Sequence, residues 1–329
     1  MTRYKIIVNP TSGRGTGERS IPMIEQKLRG YGLDFDIVRT ERPWHAVELA
    51  QQAVEAHYDV VVAAGGDGTA NEVLNGLMLA KQAMVGPVDV PPIGRVTAPA
   101  VGQLPFPVVM GVLCVGRGND FAYGVDIPND LEEGCKLLAE DNRKWIDVGR
   151  VEGGLYPQGR YFGNGVGIGF DAVVGFVAVK LKPLSGFASY IIAALQTIFL
   201  YYKAPKVRVE YDGQTMELSA LMVSIMNGRR MGGGFHMAPK AISDDGLFDL
   251  ILAEEVSRAR IFSLIPEFMK GTQARQPEIH TFRARQVTVT AIQGVLPAHA
   301  DGETLCTDGQ QLILELLPRQ LQVIGRPRS

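Results

Sequence analysis

Apolar positions give the chain two textures, with a change near residue 145. In the first part, short apolar runs alternate with segments whose apolar residues recur every three or four positions. Residues 4–8 (YKIIV) form a run ended by Asn9-Pro10, and from Glu18 to Arg29 the residues Ile21, Ile24 and Leu28 fall at helical spacing. Residues 34–39 (DFDIVR) alternate as a strand does, residues 45–57 have helical character, and 59–64 (DVVVAA) is a continuous apolar strand of the kind covered on both faces. This βαβαβ order predicts a parallel sheet. Residues 70–81 predict a further helix, with Val73, Leu74, Leu77 and Met78 on one side, and 108–115 (VVMGVLCV) a further strand. The proline-bearing stretch from Gly86 to Pro107 has no usable period and is expected to be an irregular insertion.

Beyond residue 145 the runs YFGNGVGIGF, KVRVEY, MELSALMVSIMNG, LFDLILAEE, QVTVTAI and LILELL read as strands separated by glycine-bearing turns. Asp212-Gly213 suits a two-residue hairpin, so the runs on either side of it should pair antiparallel. A length of 329 residues suits two domains, and the texture puts their boundary between 145 and 146. The most apolar segment, residues 187–202, falls short of the roughly 20 residues a spanning helix needs. It is expected to be a buried helix or one that lines a lipid entrance.

A net charge of -2 gives no general electrostatic case for nucleic acid. Three widely spaced cysteines argue against a disulfide framework, and the start MTRYKIIVNP lacks the apolar region of an export signal. A cytoplasmic setting is expected, and a homodimer is left open. The five histidines form no ligand set in sequence.

Candidate chemistry gathers where strands end. Residues 63–72 (AAGGDGTANE) lie between a buried strand and a helix, where glycine permits a tight return and the helix's first amides meet an anion. Asp67 beside a phosphate would repel it unless Mg²⁺ bridges the two or the carboxylate handles a proton, which points to phosphoryl transfer. A second glycine loop, NPTSGRG (9–15), follows the first strand, and VGRGNDFAYG (115–124) follows another, with Asn119 and Asp120 directed at the same sheet edge. Neither a dinucleotide G-x-G-x-x-G fingerprint nor a G-x-x-x-x-G-K-[ST] loop is present. In AHADGETL (298–305), Asp301 and Glu303 flank a glycine; the segment is a hairpin turn, a source of a general base, or both.

Taken in order, NPTSG, GGDGT, GRGNDFA and DGE resemble the diacylglycerol kinase catalytic family, to which sphingosine and ceramide kinases are related. GGDGT is shared with NAD kinases and phosphofructokinases; GNDFA and a late DGE are more specific. The resemblance implies a Rossmann-like α/β domain of the phosphofructokinase and NAD kinase kind, a carboxyl-terminal β-sandwich domain, and an active-site cleft between them. It also implies that the last stretch, about 318–329, returns to complete the first domain.

By motif match, ATP would contact Asn9, Ser12 and Gly13, then Thr40, then Gly65, Gly66, Asp67, Gly68, Thr69 and Asn71, and finally Arg117, Asn119 and Asp120. Position 117 is commonly threonine or serine in the family; the arginine here either clamps phosphates or fills the pocket. Glu303 matches the family's general base, with Asp67 and Asp301 organising Mg²⁺ and water, although the motifs alone leave open which of the three takes the proton. SDDGLFD (243–249) resembles a structural Mg²⁺ segment, using the Asp245 carboxylate and the carbonyls of Ile242 and Leu247. The implied activity is transfer of the ATP γ-phosphoryl group to a lipid hydroxyl, with diacylglycerol or a related lipid as acceptor at a membrane surface, the protein sitting peripherally at its inner face. An NAD kinase-like enzyme and a non-catalytic nucleotide- or lipid-binding protein are the alternatives.

Overall fold

The apolar runs of the amino-terminal part pair side by side. The structure is a computed structural model that describes residues 1–85, 106–180, 187–200 and 204–327. The chain divides into two units, Met1–Val148 with Leu317–Ser329, and Gly149–Leu316.

In the first unit, β1 (Arg3–Val8), β2 (Asp34–Arg39), β3 (Val60–Gly65) and β4 (Val109–Cys114) form a parallel sheet in the order 2-1-3-4. The central β3 and β4 are buried at every position, as continuous apolar runs require. β2 lies at the edge and is only half-buried, which is why its sequence alternates. The return of the chain adds a fifth parallel partner, since Gln322 and Val323 pair with Val109 and Met110.

Crossover helices α1 (Ser12–Gly30), α2 (His45–Glu55) and α3 (Asp67–Val85) join these strands, followed by α4 (Asp120–Gly124) and α5 (Leu131–Glu140). Ile21, Ile24 and Leu28 of α1, and Val73, Leu74, Leu77 and Met78 of α3, are buried, as their spacing predicts. α3 starts three residues before the expected 70, because GGDGT is itself the head of the helix. α1 likewise starts at Ser12, then kinks through left-handed Gly13, Arg14 and Gly15, so NPTSGRG is a broken first turn rather than an open loop. Buried Lys81 of α3 donates from Nζ to the Gln320 carbonyl (2.7 Å) and Oε1 (3.0 Å), tying the returning strand to the helix.

The second unit is a β-sandwich. β5 (Arg143–Gly153) runs into it and pairs antiparallel with β6 (Tyr156–Phe162). Next come β7 (Gly165–Gly169), helices α6 (Phe170–Lys180) and α7 (Phe187–Leu200), then β8 (Lys206–Tyr211) and β9 (Gln214–Met226), joined at Asp212-Gly213 with φ of 42° and 82° as the hairpin signal predicts. β10 (Phe248–Glu254), α8 (Arg258–Lys270), β11 (Ile279–Ala284), β12 (Gln286–Gln293), β13 (Leu296–Ala300), β14 (Glu303–Gly309) and β15 (Gln311–Ile324) follow.

β9 serves both sheets: its first half pairs with β8, and its second with β7 and β10. One sheet runs β14-β13-β7-β9-β10-β11; in the other, β12 lies between β8 and β15. Their inward side chains, including Val166, Ile168, Val209, Ile225, Leu250, Val289 and Leu314, make the core. Phe162 stacks on Phe248 at 5.6 Å within it. α8 packs Ile261, Leu264 and Phe268 on Leu221, Met222 and Ile251.

Among the described residues, three α-helices and a 3-10 turn at Gln273–Arg275 accompany the strands of this unit. α6 is apolar on most sides and shows no period, whereas α8 carried an overlooked start signal, Ser257, whose Oγ accepts the Arg260 amide at 3.3 Å. Along α7, Ala193, Ala194, Thr197 and Ile198 are buried and Ile191, Ile192 and Leu195 half-buried. No helix among the described residues is long and apolar enough to cross a membrane. The expected insertion over 86–107 lies outside the described residues, apart from its last two.

Phe162→Ala should cost about 3–5 kcal/mol by opening a cavity in the sandwich core. A fall in the urea unfolding midpoint measures it.

Candidate active site

β1, β3 and β4 run parallel, so the turns that leave them share one edge of the sheet. Their backbones touch. A Cβ placed on Gly116 would lie 2.3 Å from the Gly66 Cα, and one on Gly13 would lie 2.3 Å from the Val115 carbonyl oxygen. Side chains then cross-link the turns. Asn9 donates from Nδ2 to Thr69 Oγ1 (3.1 Å), while its Oδ1 accepts from the Thr11 amide (3.1 Å) and hydroxyl (2.9 Å). Ser12 Oγ stands 3.7 Å from where a Gly66 Cβ would be. The Thr40 amide donates to the Val8 carbonyl (2.9 Å), which brings the end of β2 to the same edge.

The head of α3 is central to this arrangement. The Ala70 amide closes its first turn on the Gly66 carbonyl (3.0 Å), so the amides ahead of it carry the helix's partial positive charge. Asp67 Oδ1 accepts the Phe121 amide (3.0 Å) at the start of α4. Its Oδ2 and that of Asp120 border the small space beside Gly118, where an added Cβ would lie 2.7 and 3.6 Å from them. Gly68 is half-buried; Gly65, Thr69, Asn71, Asn119 and Asp120 are buried. Asn71 accepts from Asn75 Nδ2 through its carbonyl and Oδ1, and Asn119, with φ of 53°, donates to Asn129 Oδ1 (2.6 Å). Arg117 is exposed.

Two carboxylate oxygens around one small gap, next to a helix head, suit a hard divalent cation such as Mg²⁺. No group of three or more His, Cys, Asp or Glu side chains is gathered among the described residues. A cation at Asp67 and Asp120 would complete its shell with phosphate oxygens and water.

In the second unit the DGE segment is a tight turn from β13 into β14, with φ of 49° at Asp301 and 84° at Gly302. The buried Asp301 carboxylate accepts three amides, from Gly163 (2.8 Å), Asn164 (3.0 Å) and Gly165 (2.9 Å). Glu303 is half-buried at the first position of β14, and no hydrogen bond among the described residues engages its carboxylate.

Asp245 accepts the Leu247 amide at Oδ1 (3.1 Å) and pairs through Oδ2 with Arg283; Ile242 is exposed and Leu247 half-buried. The neighbouring Asp249 has Oδ2 buried without a hydrogen-bond partner, and burial pushes its carboxyl up to about 6. Arg283 also faces Asp249, with Nε 3.8 Å from Oδ1, so one guanidinium supplies the counter-charge to both aspartates.

Other ionisable groups escaped the motif argument. Asp147 is fully buried and accepts the Arg319 amide (2.8 Å), inside a strand whose sequence, IDVGR, carries no turn signal. Asp171 takes the Ala172 amide (2.8 Å) and the Ser224 hydroxyl (2.9 Å), and burial pushes it up to about 7. His299 is pushed down to about 4 by burial and is therefore a neutral ring.

Residues 3–151 match the diacylglycerol kinase catalytic domain, and residues 164–325 the YegS C-terminal NAD kinase beta sandwich-like domain. The chain belongs to the diacylglycerol kinase catalytic family and is a lipid kinase by class. It is 28% identical over 302 residues to a diacylglycerol kinase of Staphylococcus saprophyticus, covering 92% of this chain and 88% of the relative. It is 29% identical to one of Staphylococcus aureus, covering 92% and 86%. In fold it is similar to a diacylglycerol kinase of Bacillus anthracis (TM-score 0.69, 21% identity, 99% and 97% covered) and, more distantly, to yeast NADH kinase (0.51, 11%, 99% and 84%).

Asp171 gives a signed pH dependence. Its folded value, about 7, lies above the ordinary 3.8, so the folded state takes up this proton first. That contribution to stability is full below about pH 4 and is lost as pH rises towards 7. Asp171→Asn stays neutral, so urea midpoints should shift in the variant's favour, relative to the parent protein, between pH 5 and pH 8.

Proposed function

We propose that the protein transfers the γ-phosphoryl group of ATP to a hydroxyl of a lipid, diacylglycerol or a close relative of it. One observation carries this reading: three strand-end turns pack backbone to backbone at the head of α3, with Asp67 and Asp120 lining the gap they leave. Such a site favours the triphosphate end of a nucleotide over a neutral ligand, because it offers helix-head amides together with carboxylates that need a cation between them and the phosphates.

The residues divide the work. Asn9 braces Thr69, which keeps the first turn of α3 in place. Ser12, Thr69 and the amides of Gly66 to Thr69 bind phosphate oxygens, with Asn71, Asn119 and Thr40 holding the surrounding backbone. Asp67 and Asp120 would hold Mg²⁺, which when bound offsets the charge on the phosphates. Arg117, exposed beside Gly116 and Gly118, pairs with the outer phosphates.

In the transfer itself, the acceptor oxygen bonds to the γ-phosphorus and the bond from that phosphorus to the β–γ bridging oxygen breaks. ADP leaves with the bond's electrons. Glu303 takes the hydroxyl proton, since Asp301 of the same turn already accepts three amides. Asp245 would hold a second, structural cation with the carbonyls of Ile242 and Leu247. The names of the staphylococcal relatives support diacylglycerol as the first acceptor to try. Three free, buried cysteines suit a cytoplasmic enzyme that meets its lipid at a membrane surface.

Incubation with γ-labelled ATP, Mg²⁺ and mixed vesicles containing diacylglycerol should put label into lipid. Label in NAD would support the soluble-acceptor alternative, and ATP binding without transfer to any lipid a binding protein. Asp67→Asn keeps an acceptor for the Phe121 amide while losing the charge, so it should fold normally and lose about a hundredfold or more in kcat, each tenfold being about 1.36 kcal/mol. Arg117→Thr should raise the KM for ATP about fivefold, near 1 kcal/mol for an exposed charge pair. An unchanged KM would remove Arg117 from the nucleotide site.

A further inference from the structure

We infer that His299 is a positioning residue for the acceptor-side carboxylate, fixing the Gly302 amide and through it the point from which Glu303 projects. The inference rests on the reading of Glu303 as the group that takes the acceptor's proton.

The ladder between β13 and β14 holds the turn weakly. Ala300 pairs with Glu303 and His299 with Thr304, but Ala298 pairs with Cys306, so the register slips after two pairs. Other contacts must fix the turn. On one side the Asp301 carboxylate takes the three amides of residues 163–165. On the other, His299 Nδ1 accepts the Gly302 N–H at 3.3 Å. That bond puts the ring's proton on Nε2.

The strand register explains why a histidine fits there. Ala298 and Ala300 are fully buried in the sandwich core, so His299 points to the opposite face of its sheet. Its partner across the ladder is Gly167 of β7, and Gly167 in turn pairs with Ser224 of β9. A Cβ on Gly167 would lie 2.7 Å from His299 Nε2 and 2.5 Å from Asp171 Oδ2. The missing side chain makes the notch that both groups border. Asp171 is itself held by Ser224 and the Ala172 amide. The imidazole is thus packed in one orientation with Nδ1 towards the turn.

Two substitutions separate positioning from mere packing. His299→Asn retains an acceptor oxygen at about the reach of Nδ1, whereas His299→Leu fills similar space with none. The leucine variant should lose about ten- to a hundredfold in kcat at unchanged KM for ATP, the scale of a small misplacement of a reacting group, and the asparagine variant should recover most of it. Hydrogen exchange gives a readout independent of activity: the Gly302 amide should be protected in the parent and asparagine proteins and exchange faster in the leucine variant. Equal Gly302 protection in the leucine variant, or a leucine kcat equal to the parent's, would overturn the assignment. Should Glu303→Gln keep full activity while the Gly302 exchange pattern holds, the proton-acceptor role fails and the anchoring of the turn stands.

Discussion

The contact between Gly66 and Gly116 is the constraint on which the first unit's chemistry depends. Two strands of a parallel sheet lie about 5 Å apart, and the turns that leave them at one edge compete for the same space. With no side chain on either residue, the turns after β3 and β4 can touch, which sets Asp67 beside the head of α4 and leaves only a small gap at Gly118. Any larger residue at 66 or 116 would separate the turns and so move the two carboxylates relative to the helix-head amides. The glycines therefore fix a distance between charges as well as the path of the backbone.

Much of this was legible in the sequence. The first unit's strands are central and continuous in apolar character, and Ile21, Ile24 and Leu28 or Val73, Leu74 and Leu77 mark their helices' inner faces by spacing alone. The GGDGT segment was recognisable as a junction between a buried strand and a helix, and so as a candidate anion site. Its exact role in the helix was not: Asp67 is the first residue of α3, which no periodicity reveals because the apolar stripe begins only at Val73.

What remained hidden depended on contacts between residues distant in the chain. Asp171 sits in an apolar run and His299 in a short strand, and neither has a neighbour in sequence that suggests a partner. Strand register brings them to the same glycine, and register cannot be read from one strand alone. The same holds for Asp147, whose known partner lies 172 residues away. Helices α6 and α8 were missed for opposite reasons. α6 is too uniformly apolar to show a face, and the start signal of α8 lay among runs that read as strands.

The DGE turn shows how two neighbouring acids acquire different work. A carboxylate that accepts three backbone amides has spent its lone pairs on holding a loop, and its charge is stabilised by those dipoles, which makes it a poor proton acceptor. Asp301 is in that position. Glu303, two residues on, begins a strand, and no hydrogen bond among the described residues engages its carboxylate. The motifs matched Glu303 to a general base but left open which of Glu303, Asp67 and Asp301 takes the proton; the hydrogen bonds give Asp301 the task of shaping the turn, which favours the proposed assignment of the base to Glu303.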